Sequence, residues 1–369
     1  MVRDGEPGVR ADDSTKGLDF EQPGFPPNHA QEQERFVEFA FRIETHLRAT
    51  DKMSVMATRR DVVLYLALAT AWGTAFPATK AALTGFPPIL LGAVRFDVAA
   101  LILLAVAATS GRSLRPRGWG DWTPILVGGT FNIGLHHALL FAGQEYVTSA
   151  VASTLLGLVP VLTPVVTSAF RPEESISARG AVGVLFGFVG VVLIANPSAG
   201  SFLSDIGVWF VLGSAVAWVV GAVFTDERKA GLSGLSLQAW MLAVGALALD
   251  AAAFVVPGQG FAAATPTTSS FAWVLYLAVV PGALGFLVYF RLLHRLGPIE
   301  MGLIEYVIPP FAAVFGWVVL GEGLTVTTGG GFLAILCGFL LVKWPRVVGG
   351  IRGYVDGHAA GRTESSKAD

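Results

Sequence analysis

The sequence predicts an all-α integral membrane protein with about ten transmembrane helices, arranged as two inverted five-helix repeats. Three observations lead to this prediction. Hydrophobic residues make up 53% of the 369 residues and charged residues only 14%, whereas a soluble domain carries about 25% charged residues. Apolar runs long enough to cross a bilayer recur along most of the chain. Lys and Arg are confined to every second connection between these runs.

The chain begins with a polar tail, residues 1–58, which is predicted to be largely disordered because it is rich in Pro, Gly, Asp and Glu and lacks hydrophobic periodicity. Within it, residues 36–48 either form a short amphipathic helix on the membrane or belong to the same solvated tail. The tail has no apolar core beside a small-residue cleavage site and is therefore not a secretory signal. The helical pattern starts just after Met53 and Met56, so the natural start is one of these or Met1.

The apolar runs that follow are long enough to span a ~30 Å hydrocarbon core as helices. They form a first half at 59–195 and a second half at 206–345, followed by a disordered cytoplasmic tail at 346–369. The connections are too short to hold a soluble domain. The ten runs lie near 62–82, 88–109, 122–143, 147–168, 179–195, 206–224, 236–256, 271–293, 299–319 and 327–343.

Basic residues set the expected orientation, because cytoplasmic connections of membrane proteins carry the excess of Lys and Arg. All of the basic connections fall on one side of a ten-pass path. They carry Arg59, Arg60, Arg112, Arg115, Arg117, Arg171, Arg179, Arg228, Lys229, Arg291, Arg295, Lys343, Arg346 and Arg352. The connections at 83–87, 144–146, 196–205, 257–270 and 320–326 contain none. The sequence therefore predicts a multi-pass protein of the cell membrane with both termini in the cytoplasm.

A weak internal repeat divides the ten runs into halves. In each half, an apolar helix with a central Pro leads through an acidic connection to a Gly-rich helix. An offset of 149 residues aligns Pro160 with Pro309, Val165 with Val314, Glu173 with Glu322 and Gly180 with Gly329. This matched spacing favours a repeat over a resemblance of composition alone. Because five is odd, the second half enters the membrane upside down, a plan common among secondary transporters.

Several segments resemble the drug/metabolite transporter superfamily, EamA type. In the first half these are WGTAFPATKAAL (72–83), RF (95–96) and SAVASTLLGLVPVLTPVVT (149–167). In the second half they are YVIPPFAAVFGWVVLGE (306–322) and GGGFLAILCGFLLV (329–342).

This resemblance covers about 60–345 and implies a ten-helix carrier of small metabolites, often an exporter, that works by alternating access. Two features depart from the family's pattern. Glu173 and Glu174 stand where relatives usually have a leucine-glycine-glutamate run, and Glu305 lies in a region that relatives keep mostly apolar.

Polar residues inside the membrane are the best candidates for a solute site, since a charged side chain there costs about 2.5–3.5 kcal/mol on insertion scales. On the first helix, Trp72, Thr74 and Lys80 follow roughly one stripe, and Lys80 either lines a pore or extends to the outer interface. Arg95 lies deeper on the second helix. It either meets an anionic substrate carboxylate or donates to a carbonyl of a neighbouring helix.

The third helix contributes Asn132 and His136, which stand four residues apart on one face. His136 either relays protons, as an imidazole can near neutral pH, or forms a hydrogen bond between helices. His137 points about 100° away from it, which makes the pair a poor metal site.

The ninth helix contributes Glu305 and Tyr306, followed by two prolines. Burial disfavours the charged form of a carboxyl, so Glu305 is a candidate for proton coupling. The alternative is a carboxylate paired with Arg95 or a tyrosine. Trp218 and Tyr289 complete the predicted substrate-binding residues.

These features predict a secondary transporter that moves a small organic metabolite, amino acid-like or related, with a proton or sodium ion as the possible coupling ion. The alternatives are a membrane-embedded enzyme and a channel or other membrane scaffold. The sequence contains no Gly-x-Ser-x-Gly elbow, zinc spacing or phosphate-binding loop and no basic arm for nucleic acid, so no cofactor is expected. The single cysteine, Cys337, is expected to be buried. The Gly-rich fifth and tenth helices pack either within the chain or in a homodimer.

Overall fold

The computed structural model describes residues 59–170, 177–195, 206–225, 231–296, 301 and 303–341. All regular secondary structure in these residues is helical. The polar tails predicted at 1–58 and 346–369 lie outside the described residues, as do Glu173 and Glu174.

The described residues form ten apolar helices. They are α1 (Arg59–Ala82), α2 (Pro88–Thr109), α3 (Trp119–Gln144), α4 (Ser149–Phe170), α5 (Ala178–Ala195), α6 (Ile206–Phe224), α7 (Gly234–Val255), α8 (Thr268–Leu296), α9 (Ile304–Leu320) and α10 (Val326–Leu341). Seven are long and apolar enough to cross a membrane, and the shorter ones are α5, α9 and α10. The structure therefore supports a multi-pass membrane protein.

The start of α8 shows why predicted helix ends differ from the observed ones. The apolar run predicts a start at 271, but the helix begins at Thr268. Thr267 and Ser270 form a capping box there, in which each side chain accepts from the other residue's backbone N–H. Caps of this kind satisfy the free amides of the first turn and extend the helix beyond its apolar stretch.

A π-helical segment interrupts both α3 and α8. It spans Gly128–Leu135 in α3 and Ala278–Leu284 in α8, so the two segments start 150 residues apart and end 149 apart. Pro281 lies inside the second segment, and a proline cannot donate the backbone hydrogen bond of a regular α-helix. Helix α4 is also interrupted, between Leu156 and Val159.

The contacts between the two groups of five helices follow a regular pattern. Helices α2 and α7 pack against each other extensively, and so do α4 and α9. Helix α1 packs against α9 as α6 packs against α4, and α3 packs against α7 as α8 packs against α2. Finally, α3 contacts α6 as α8 contacts α1. Exchanging helix n with helix n+5 thus leaves the α2–α7 and α4–α9 contacts unchanged and converts each of the others into an observed contact.

Helices α5 and α10 meet each other within the chain through their glycines. A Cβ on Gly190 would lie 2.5 Å from Ile335 Cγ1, and one on Gly338 would lie 2.5 Å from the Gly183 carbonyl oxygen. Cys337, beside Gly338 on α10, is exposed. The prediction that Cys337 is buried is wrong, because the neighbouring described helices do not cover its side chain.

One end of the helices carries the Arg-containing connections, and we call it the basic end. The Asp121 carboxylate accepts hydrogen bonds of 2.6 Å from the backbone amides of Arg117 and Gly231, which joins the α2–α3 and α6–α7 connections. The Arg295 guanidinium at the end of α8 lies 3.2 Å from the Asp61 carboxylate at the start of α1.

The opposite end joins two connections that contain no Lys or Arg. The Thr265 amide donates to the Gly85 carbonyl at 3.0 Å, and the Ile89 amide donates to Gln259 Oε1 at 3.0 Å. These bonds tie the α1–α2 connection to the α7–α8 connection. The contacts thus group these connections in the same way as the basic residues do in the sequence.

The outer surfaces of the helices are apolar. Large hydrophobic side chains are strongly exposed on several helices, among them Leu101, Phe188, Leu247, Phe254 and Trp317. A soluble monomer rarely exposes large contiguous apolar surfaces, whereas a bilayer is their ordinary solvent. Polar side chains such as Arg95, Asn132 and His136 are instead buried between the helices.

Candidate functional site

A cavity of about 1140 Å³ lies between the two groups of helices. Its lining comes from α1, α2, α3 and α4 of the first group and from α6, α7, α8 and α9 of the second. Most of the wall is aromatic or aliphatic, with a few polar groups. Pockets for small molecules commonly have this composition, because apolar area supplies affinity and a few polar groups fix orientation.

Arg95 on α2 lines the cavity and is only 6% exposed. Its Cζ lies 4.8 Å from the ring centroid of Phe96 and 5.5 Å from that of Phe141. Its Nε is buried without a hydrogen-bond partner. Among the described residues, no carboxylate or carbonyl pairs with the guanidinium, so neither the predicted link to a helix carbonyl nor a pair with Glu305 is present.

The π segment of α3 and the turn after it place two polar side chains against α6 and a third against the backbone of α3 itself. Asn132 Nδ2 donates to the Trp218 carbonyl at 2.8 Å, and His136 Nδ1 lies 2.9 Å from the Ser214 carbonyl. His137 Nδ1 lies 3.0 Å from the Ile133 carbonyl. A carbonyl only accepts, so each of these Nδ1 atoms donates. Each Nε2 is therefore the ring atom left to contact a solute.

The two imidazole rings belong to an aromatic cluster in the cavity wall. The His136 ring lies edge-to-face with Trp218, with 5.0 Å between centroids, and 4.5 Å from His137. The His137 ring contacts Phe96 at 4.4 Å and Phe141 at 5.5 Å. The same two phenylalanine rings also contact the Arg95 guanidinium. The guanidinium and the histidines therefore lie in one part of the cavity.

Trp72 and Tyr289 form the apolar side of the cavity with Phe286. The Trp72 ring lies 5.5 Å from Tyr289 and 6.0 Å from Phe286. Trp72 Nε1 donates to the Pro281 carbonyl at 3.1 Å, which lies in the π segment of α8. Gly285 makes room for this indole, because a Cβ there would lie 2.8 Å from Trp72 Nε1.

Glu305 and Tyr306 are adjacent on α9 but face different surroundings. Glu305 is half-buried and lines the cavity. The Tyr306 side chain is absent from the lining. Its hydroxyl donates to the Gly157 carbonyl at 3.1 Å, and its ring lies 4.5 Å from Phe339. Tyr306 thus joins α9 to the interruption in α4, and its position indicates helix packing.

Thr74 and Lys80 also lie outside the cavity wall. The Thr74 hydroxyl is 2.6 Å from the Tyr276 hydroxyl on α8. Lys80 Nζ donates to the Val147 carbonyl at 2.5 Å and lies 3.6 Å from Glu322 Oε1. The Glu322 carboxylate in turn accepts from the Ser149 amide at 3.0 and 3.2 Å. Lys80 therefore joins α1 to the α3–α4 and α9–α10 connections at the end opposite the basic end.

The structure thus brings seven of the ten predicted residues together around one cavity. They are Trp72, Arg95, Asn132, His136, Trp218, Tyr289 and Glu305. The sequence-based selection omits His137, which lines the cavity because the π segment turns α3. It also omits apolar and small polar wall residues, among them Phe141, Gln144, Thr163, Thr167, Gln238 and Phe286. For these residue types in apolar helices, the sequence carries no signal that distinguishes a residue lining the cavity from one packed between helices.

The sequence profile described as the EamA-like transporter family matches the chain twice, at residues 60–196 and 205–344. The chain belongs to this family. The resemblance to the drug/metabolite transporter superfamily is thereby confirmed. This EamA-like protein is a multi-pass membrane protein that transports a small-molecule solute across a lipid bilayer.

Its relatives are named mainly as transporters. The "Uncharacterized transporter YvbV" of Bacillus subtilis is 29% identical over 79% of this chain and 94% of its own length. The "Probable terminal-alkyne amino-acid exporter" of Streptantibioticus cattleyicolor is 29% identical over 68% of this chain and 82% of its own length. A solved crystal structure at 22% identity has a TM-score of 0.54 and covers 77% of this chain and 97% of its own. At that identity it supports the fold alone.

Proposed function

We propose that the protein is a secondary carrier that moves a small organic metabolite across the cell membrane by alternating access, with its site in the cavity between α1–α4 and α6–α9. The cavity itself carries this proposal. It holds an unpaired guanidinium, Arg95, and a carboxyl, Glu305, in an otherwise mostly apolar wall. Ionisable groups retained inside a membrane protein mark pathways for substrates or ions.

Two inverted repeats at 59–195 and 206–345 fit this carrier. The family profile matches twice over nearly the same residues. The helix contacts between the two halves are preserved when helix n is exchanged with helix n+5, and the π segments recur at an offset of 149 to 150 residues. Carriers built from inverted repeats bind solute between the halves and rock one half against the other.

We further propose that the basic end faces the cytoplasm, with both termini on that side. The cavity wall extends to Thr225 and Gln238 near this end. At the other end, Gln144 Nε2 donates to the Phe76 carbonyl at 3.0 Å, and Lys80 joins α1 to Glu322 beyond them. In this orientation, the structure corresponds to a carrier whose cavity is closed toward the outside.

The solute is proposed to be amino acid-like or related, and export is the favoured direction. The name of the Streptantibioticus cattleyicolor relative supports an amino-acid solute. Glu305 and His136 are the groups that would bind a coupling proton, since both line the cavity; sodium remains the second candidate ion. A homodimer stays a prediction, because the glycines of α5 and α10 already contact each other within the chain.

Flux through purified protein in liposomes tests the carrier. We expect saturable uptake of amino acids that is stimulated by unlabelled solute on the opposite side. Arg95→Ala and Glu305→Gln should each lower the initial rate at least about ten-fold, the loss expected when an interaction with a charged group is removed. The matched controls are Arg112→Ala and Glu145→Gln, which change exposed residues outside the cavity. Unchanged flux in both cavity variants would contradict the proposed site.

The same liposomes separate the carrier from its alternatives. A membrane-embedded enzyme would convert the solute covalently, and mass spectrometry of the recovered solute would show the product. A channel would give conductance without stimulation by solute on the opposite side. Among the described residues, no group of three or more His, Cys, Asp or Glu side chains is placed to hold a metal ion.

A further inference from the structure

Arg95 is the single Lys or Arg among the described residues that line the cavity. Burial of an unpaired charge is unfavourable unless something else compensates it. The faces of Phe96 and Phe141 attract the cation, but a ring face cannot accept the in-plane hydrogen bonds of the guanidinium fork. The structure therefore leaves the fork's N–H donors in the wall of a cavity without a protein acceptor.

From this arrangement we propose that the transported solute is a monocarboxylate whose carboxylate binds the Arg95 guanidinium in a bidentate pair. The inference rests on the proposed carrier function and specifies its substrate class. A carboxylate presents two coplanar oxygen atoms at the spacing of two guanidinium N–H groups. Arg remains protonated at physiological pH, so the site always presents this charge to an entering solute.

The charge of the cavity wall limits the solute to one negative charge near Arg95. A phosphate ester carries close to two charges at neutral pH, and its recognition usually requires further cations. The described wall offers none from Lys or Arg, and it includes the Glu305 carboxyl. A dianion would bring an uncompensated charge into a low-dielectric cavity. The arrangement thus favours a carboxylate over a phosphate.

The groups around Arg95 indicate the rest of the solute. The Nδ1 atoms of His136 and His137 donate to backbone carbonyls, so their Nε2 atoms can accept from an ammonium or hydroxyl group next to the carboxylate. Trp72, Phe286 and Tyr289 line the same cavity with aromatic surface. An apolar or aromatic substituent would lose water contact there, which is the main source of affinity in such pockets.

A panel of four solutes with the same ring tests the assignment. L-phenylalanine carries a carboxylate and an ammonium group, and phenylacetate carries the carboxylate alone. Phenethylamine carries the ammonium group alone, and benzylphosphonate replaces the carboxylate with a doubly charged phosphonate. We measure saturable uptake of each by wild-type protein in liposomes at mildly alkaline pH, where benzylphosphonate is mainly the dianion. The two carboxylates should be transported and should compete with each other, whereas phenethylamine and benzylphosphonate should neither enter nor compete.

Two variants assign the effect to Arg95. Arg95→Gln should raise the half-saturating concentration of both carboxylates about 10- to 100-fold, because a charge-assisted hydrogen-bonded pair is lost. Arg95→Lys should recover part of the affinity, since an ammonium keeps the charge but not the planar fork. Arg112→Gln, a change at an exposed position, is the control and should match the wild type.

The outcomes separate this inference from the carrier proposal. Transport of phenethylamine or benzylphosphonate in preference to both carboxylates would overturn the carboxylate assignment and leave the carrier intact. The same conclusion follows if folded Arg95→Gln protein retains wild-type affinity for phenylacetate. If Arg95→Gln does not fold, the wild-type panel still decides. Absence of saturable flux for any solute, including the full set of amino acids, would contradict both proposals.

Discussion

Gly221 on α6 provides the space in which Asn132 reaches its partner. A Cβ on Gly221 would overlap Asn132 Oδ1 and would lie 2.7 Å from its Cγ. We expect Gly221→Ala to destabilise the folded protein by about 1–3 kcal/mol, the usual cost of overpacking, and to lower the melting temperature in detergent. The control is Gly213→Ala on the same helix, where a Cβ would meet only Leu139 Cδ1, at 3.4 Å.

The two glycine variants should differ in melting temperature. Gly213→Ala adds a better helix former without a clash, so it should leave the melting temperature unchanged or raise it. Equal melting temperatures for the two variants would show that Asn132 does not need the space at Gly221.

At the residue scale, the sequence identifies candidate side chains but does not decide which of them face the cavity. Arg95 and Glu305 could be predicted because a charged side chain within a transmembrane run is energetically costly and usually marks a functional site. Thr74 and Tyr306 could not be separated from wall residues, since their hydroxyls form helix–helix hydrogen bonds with Tyr276 and Gly157. Only the three-dimensional crossing of the helices decides which polar side chain faces a cavity.

At the scale of helices, Glu322 connects the α9–α10 turn to α1 and α4. Gly321 takes a left-handed conformation with φ of 68°, which ends α9 and turns the chain back. A Cβ at Gly316 would overlap the Glu322 carboxylate, so this glycine makes the approach possible. The carboxylate then accepts from the Ser149 amide at the N-terminus of α4, where the helix dipole favours a negative charge.

Removing the Glu322 charge should weaken this junction. Glu322→Gln leaves Lys80 without its ion pair and the Ser149 amide with a weaker acceptor. We expect a loss of about 1–3 kcal/mol in the free energy of unfolding, read as a lower melting temperature. Glu145→Gln changes an exposed carboxyl near the same end and should have little effect. A Glu322→Gln melting temperature equal to that of Glu145→Gln would show that the junction contributes nothing measurable.

The helices themselves follow from apolar length and charge placement, but their interruptions do not. Hydropathy predicts α3 and α8 as uninterrupted runs, whereas each contains a π segment. Pro281 and the paired glycines Gly128 and Gly129 are compatible with such a segment and equally compatible with a kink. The choice depends on the partner helix: in α3, a Cβ on Gly129 would lie 2.8 Å from Val244 on α7.

At the scale of the whole molecule, the two groups of helices meet around one cavity. The halves contribute four lining helices each, and the ends of the helices carry different charges and bonds. Alternating access requires that the same cavity residues be reached from either side of the membrane, but not from both at once. We propose that the cavity behaves in this way.

Cysteine accessibility from each face of the membrane measures whether the cavity opens to both sides in turn. The single native cysteine, Cys337, is replaced by Ser, and Ala75→Cys then places one thiol in the cavity wall. Ala69→Cys, at a fully buried position of the same helix, is the unreactive control. We predict that a membrane-impermeant thiol reagent modifies Ala75→Cys from either face without creating an ion conductance, and that transported solute slows the reaction. Reaction from one face only, under all solute gradients, would contradict the account.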